Sequence, residues 1–119
     1  MISLTLAGLL ALTPPTSTPA DRVLPLVECL RPERIDAWHV VPERALIVRS
    51  GSKHFRVDML HACPGLGDGG VIRLQGSQAT RGFICGGVGE TAATRRSRCA
   101  IGTVAPLSRA AYFRELEEL

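Results

Sequence analysis

At 119 residues the chain has room for one domain with a modest core. Its formal charge of +3, from 14 basic and 11 acidic residues, falls short of the concentrated basic stripe of a nucleic-acid binder. It is 45% hydrophobic but only 4% aromatic, and 12 glycines and 8 prolines describe many turns rather than long packed helices.

Residues 1–20 carry no charged side chain. Residues 2–11 (ISLTLAGLLA) form an apolar run, and after Leu12 comes the breaker-rich stretch TPPTSTPA. This is the shape of a secretion signal peptide covering residues 1–20, with Thr18 and Ala20 placing cleavage before Asp21. No Lys or Arg follows Met1, a departure from the usual basic start of a leader. The run is too short to span a bilayer, which needs roughly 20 residues, so no stable membrane anchor is expected. No cysteine closes it for lipid attachment.

The body, residues 21–119, reads as a single β-rich domain. Ile35, Ala37, Val40 and Val41 form an extended segment around Trp38, ended by Pro42-Glu43-Arg44. Residues 45–50 (ALIVRS) are an apolar, β-branched run suited to a strand. Gly51-Ser52-Lys53 makes the next turn. Residues 54–60 then alternate, with Phe55, Val57 and Met59 on a core face and His54, Arg56 and Asp58 on the other. Such short connections imply an antiparallel meander, because parallel crossovers need a dozen or more residues.

Residues 63–70 (CPGLGDGG) form an irregular loop. Two further strands are expected at residues 71–75 and 82–85, followed by a flexible polar stretch at 86–98 and a last strand at 99–104. Ser108 is a candidate N-cap for a short helix to Leu119, with Tyr112, Phe113, Leu116 and Leu119 on an apolar stripe. Glu115, Glu117 and Glu118 crowd its last turn, against the helix dipole. The expected fold is mainly β: a small antiparallel meander or open barrel of about five to six strands, with a C-terminal helix and two disulfides.

Cys29, Cys63, Cys85 and Cys99 are an even set in a short chain with an export signal, which reads as a disulfide framework. Four cysteines allow three connectivities. If residues 82–85 pair with residues 71–75, Cys85 comes close to Cys63, and Cys29 is left for Cys99. The intervals of 34, 22 and 14 positions between successive cysteines lack the close pair of a zinc site. His61 and Cys63 could hold copper or zinc only if Cys63 were a free thiol.

Other patterns resemble chemistry without its context. Gly65, Gly67 and Gly70 match a dinucleotide fingerprint, but a strand follows where a helix is required. Gly86-Gly87-Val88-Gly89 lacks the Lys-Ser or Lys-Thr of a phosphate loop, and Asp68 stands alone where a calcium loop needs several oxygen ligands. Asp36, Glu43, Asp58, His39 and His54 are single acid or base candidates that spacing does not group. Trp38 reads as a core anchor, with ligand stacking as the alternative. Arg95, Arg96 and Arg98 form a basic cluster that reads as a solvated loop, with lipid headgroups or an acidic partner as the alternative.

Residues 29–107 also carry a joint pattern: Cys29-Leu30 with Ile35 and Trp38, A-L-I-V at 45–48, Cys63-Pro64-Gly65-Leu66, Ile84-Cys85-Gly86, and Cys99-Ala100-Ile101 leading to Val104 and Leu107. In this the chain resembles a family of small exported proteobacterial proteins with four cysteines, catalogued as a domain of unknown function. The resemblance implies an exported, small β-fold and supplies no active-site residue. Where family members often carry a polar turn such as Asp-Asp before the second strand, this chain has Pro42-Glu43.

The function expected from the sequence is a non-enzymatic structural or binding protein of the bacterial envelope, periplasmic or secreted and monomeric. No cofactor, metal or nucleic acid is expected. Its partner would be another envelope protein or surface component. The alternatives are a metal-binding or redox protein using His61 and Cys63, and a secreted hydrolase inhibitor presenting the loop at residues 64–70.

Overall fold

The computed structural model describes residues 23–119, so the expected leader lies outside the described residues. Six strands form an antiparallel sheet: β1 (Ala37–Val41), β2 (Ala45–Ser50), β3 (Lys53–Met59), β4 (Arg73–Gln75), β5 (Thr91–Ala93) and β6 (Arg98–Leu107). Their order across the sheet is β1-β2-β3-β6-β5-β4, and a helix, α1 (Arg109–Glu117), follows β6. The sheet curls into an open half-barrel. The mainly β architecture, the strand number and the terminal helix therefore agree with the sequence reading.

The apolar alternation explains the curl's interior. Cross-strand register aligns Trp38, Val48, Phe55 and Pro106, and in the next core-facing row Val40, Leu46, Val57 and Val104. Leu46, Val48, Phe55, Val57 and Val104 are buried, and with Leu30, Leu66, Leu74, Ile84 and Ala92 they make the core. β2 is buried on both faces from Ala45 to Val48, which is why its sequence reads as a continuous apolar run rather than an alternating one.

On the outer face, α1 packs against β2, β3 and β6. Ser108 caps the helix, its hydroxyl accepting from the Ala111 N–H at 3.0 Å. Tyr112 is buried against the His54 ring, with centroids 4.4 Å apart. His54, expected on a solvated strand face, is therefore only 9% exposed. Phe113 and Leu119, expected on the packed stripe, are instead exposed. Arg56 reaches Asp58 at 3.1 Å and Glu115 on the helix at 2.8 Å. Burial alone would lower the Arg56 guanidinium, but Asp58 and then Glu115 outweigh it and hold its pKa above the ordinary value.

Where the sheet bends, the ladder steps from Asp58↔Thr103 to Met59↔Ile101, so Gly102 is an extra residue on β6. A Cβ there would lie 3.1 Å from the Leu60 Cα. Glycine lets the two backbones close at this irregularity in the ladder.

The second half departs from expectation. Residues 82–85 are not a strand: Ile84 forms a single bridge with Leu30, donating to and accepting from its backbone at 2.8 and 2.9 Å. The strand beside β4 is β5, in the stretch read as flexible, with register Arg73↔Ala93, Leu74↔Ala92 and Gln75↔Thr91. This corrects the disulfides. The antiparallel bridge Leu30↔Ile84 sets position 29 opposite position 85, and the bonded pairs are Cys29–Cys85 and Cys63–Cys99, not Cys63 with Cys85 and Cys29 with Cys99. The error follows from assigning β4 the wrong partner.

Candidate functional site

β1 and β4 are the two ends of the sheet, and curling brings both onto one cleft of about 650 Å³. Its first wall is Trp38 of β1 with Ile35 and Pro32 of the incoming segment; the second is Ile72 with Leu74 of β4. Trp38 faces inward in register with Val48, but it stands on an edge strand and keeps 38% of its surface exposed. Leu74 is buried, and Ile35 and Ile72 are half-buried against the core. Glu33, Asp36, His39 and Arg73 give the cleft a polar margin of mixed charge.

The approach to β1 is held in place. The Asp36 carboxylate accepts from the Gly51 N–H at 3.2 Å and lies 3.7 Å from the Arg49 guanidinium, which pins the start of β1 to the turn between β2 and β3. At the far end, Arg44 donates to the Val41 carbonyl at 3.0 Å, with Pro42 and Glu43 in the middle of the turn. Glu43 has φ 62°, a region disfavoured for residues with a side chain. It is held there from both sides, since its N–H donates to the Leu66 carbonyl at 2.9 Å and its carbonyl accepts from Cys63 at 2.8 Å.

The structure distributes the other sequence candidates as scaffold. The Cys63 sulfur is bonded to Cys99 and buried, while His61 is exposed beside it, so no Cys63 thiolate is available to join His61 on a metal. Cys29 and Cys85 join the segment before β1 to the segment after β4. Arg31 stacks over Phe83 at 4.7 Å next to that bridge. The loop at residues 64–70 is gripped at its base: the Pro64 carbonyl accepts from Ser97 Oγ at 2.6 Å and Thr94 Oγ1 at 2.9 Å. Gly65 has φ +90° and its missing Cβ would strike Thr94 Oγ1 at 2.5 Å, so the glycine pattern there serves loop packing. Asp68 faces Arg96 at 3.3 Å. His39 and His54 both line a second hollow under α1, their ring centroids 6.4 and 4.4 Å from that of Tyr112.

Among the described residues no three His, Cys, Asp or Glu side chains converge as a metal site requires, and no helix is long and apolar enough to cross a membrane.

Sequence reasoning missed Glu90 and the β4 wall of the cleft. Glu90 is 1% exposed, and its two carboxylate oxygens accept from the N–H groups of Cys85 at 2.8 Å and Gly86 at 2.7 Å. The signal was present: Thr91-Ala92-Ala93 and Arg98-Cys99-Ala100 flank a four-residue polar turn, a hairpin pattern that makes Glu90 the entrance to a strand rather than part of a loop.

Compared with known proteins, the chain matches no family model, no curated protein and no solved structure. Its two disulfides are those of a protein that matures in an oxidising, extracytoplasmic environment.

Proposed function

We propose that this chain is a small exported binding protein of the bacterial envelope, non-catalytic, whose cleft between β1 and β4 receives an extended segment of another envelope protein. The observation that carries the reading is the convergence of both sheet edges on one apolar-lined cleft. An edge strand offers backbone donors and acceptors on its unpaired side, and an added strand satisfies them while alternate side chains fill apolar pockets. Trp38 supplies a rigid, half-exposed anchor of the kind that dominates binding energy at interfaces. Export to the periplasm or medium is supported by the two disulfides, by the apolar run at residues 2–11 with cleavage before Asp21, and by the resemblance to small exported proteobacterial proteins.

Two measurements test this. Intact mass of protein recovered from the periplasm should correspond to a chain beginning at Asp21 and should rise by four hydrogens on reduction. A full-length chain in the cytosol with free thiols contradicts export. For the cleft, a panel of extended peptides with alternating apolar residues is added while the emission of the single tryptophan, Trp38, is followed. A blue shift with slowed amide exchange confined to β1 or β4 is expected, and Trp38→Ala should weaken binding at least tenfold. Peptide binding that leaves both edge strands exchanging freely would sink the cleft assignment.

A further inference from the structure

Between residues 69 and 107 the chain carries five arginines (Arg73, Arg81, Arg95, Arg96, Arg98) and a single acidic residue, Glu90. That acid is buried and committed to two backbone N–H groups, so it contributes nothing to the surface. The sheet register then concentrates the positive charge. Arg73 of β4 and Arg98 of β6 both align with Ala93 of β5, which places them on one face, two strand spacings or roughly 10 Å apart. It is the outer face, because the next row, Leu74, Ala92 and Cys99, faces the core. Arg95 lies against Gly70, where a Cβ would stand 3.1 Å from its Nε. Beside Gly70, Val71 projects with 71% of its surface exposed. Among the described residues Arg96 is the member of this group with a carboxylate partner, Asp68. The next row outward, Gln75, Thr91 and Ala100, is uncharged.

We infer that this face, the outer side of β4, β5 and β6 with the turn at residues 94–97, docks on a membrane of anionic phospholipid. Arg73, Arg95 and Arg98 lie over headgroup phosphates, whose oxygens the planar guanidinium groups can meet in pairs. Val71 enters the headgroup layer. The choice of a lipid surface rests on the shape of the patch as well as its sign. Its two outward-facing rows carry arginines and small or polar residues with no aromatic ring on which a base would stack, and the apolar side chain stands exposed next to the charges. The inference goes beyond the cleft reading and does not depend on it: Arg73 also borders the cleft, but Arg95, Arg98 and Val71 do not, so Arg95→Gln with Arg98→Gln tests this face alone.

The experiment is co-sedimentation of the purified chain with vesicles of phosphatidylcholine alone and with 30–40% phosphatidylglycerol (about the range that makes a surface strongly anionic) at low and high salt. All variants are compared in the same form of the chain, so residues 1–22 contribute equally to each. Binding to the anionic vesicles that falls with salt is expected. Each surface arginine contributes about fivefold to partitioning, so Arg73→Gln, Arg95→Gln and Arg98→Gln together should reduce it on the order of a hundredfold. Val71→Ser should lower the part that persists at high salt. A matched triple variant, Arg34→Gln, Arg44→Gln and Arg114→Gln, removes the same charge elsewhere and should stay within a few fold of the parent. Equal losses in the two triple variants, equal binding to both vesicle types, or capture by DNA or an acidic peptide without vesicle binding would each overturn the proposal. Arg95→Gln alone, on an exposed turn, provides the same reading should the triple variant fold poorly.

Discussion

The two halves of the sheet are held together by different physics. β1, β2 and β3 form long, regular ladders around strands buried on one or both faces, with α1 laid over the outside. The region from residue 61 to residue 97 has two three-residue strands and is fixed by Cys29–Cys85, Cys63–Cys99, the Glu90 carboxylate and hydroxyl groups on the Pro64 carbonyl. The first half is maintained by apolar area removed from water, a distributed term that survives the loss of any one contact. The second half contributes Leu66, Leu74, Ile84 and Ala92 to the same core, but with so little regular ladder it relies in addition on a few discrete links, each of which governs a whole segment. A chain of this size has too little core to stabilise both halves in the same way.

The sharpest way to break this contrast is to remove a bridge. Cys29→Ala with Cys85→Ala opens a loop of 56 positions and should cost about 4 kcal/mol by the chain-entropy relation. Denaturant unfolding measures the total, and hydrogen exchange should locate the loosening in residues 76–90 while β2 and β3 stay protected. Uniform loss of protection across the sheet would show that the halves fold as one unit. Next in size, Glu90→Ala leaves the N–H groups of Cys85 and Gly86 without their acceptor and should cost about 3 kcal/mol. A loss under 0.5 kcal/mol (roughly the scatter of surface substitutions) would remove Glu90 from the list of links. Within the regular half, Arg56→Met frees Asp58 and Glu115 but keeps the aliphatic packing. Because all three side chains are partly solvated, the expected cost is about 1–2 kcal/mol, read from the midpoint of thermal unfolding. The smallest effect has the opposite sign. Glu43→Gly relieves a left-handed residue where the halves meet and should add about 1 kcal/mol or less; destabilisation there would mean that the Glu43 side chain itself contributes.

The same contrast explains how far the sequence could be read. Residues 45–60 declare their strands through β-branched runs, period-two alternation and a glycine turn, and the structure places them with boundaries shifted by a residue. Ser108 declares the helix start by its position before Tyr112 and Leu116. Around residues 82–93 local signals mislead. Phe83-Ile84-Cys85 is apolar enough for a strand, yet it is buried by one bridge to Leu30 and by the disulfide, while Thr91-Ala92-Ala93 is too small and polar to attract notice. Taken alone it carries no strand signal, and it becomes legible only when the polar turn at residues 94–97 and Arg98-Cys99-Ala100 are read with it as a hairpin. The cleft was half legible for the same reason. Trp38 is conspicuous as a lone tryptophan, but Ile72 and Leu74 become its opposite wall only once β4 is known to end the sheet.

The two disulfides interlock in chain order, since Cys63 lies inside the loop closed by Cys29 and Cys85, and Cys85 lies inside the loop closed by Cys63 and Cys99. A polypeptide threading through a translocation pore presents its cysteines one at a time. An oxidant acting on them as they emerge would join Cys29 to Cys63, a linkage the finished protein does not contain. Maturation therefore calls either for oxidation held back until Cys85 and Cys99 have arrived or for later exchange by an isomerase. Under the proposed export, a host with more isomerase in the receiving compartment is expected to give more correctly bridged protein.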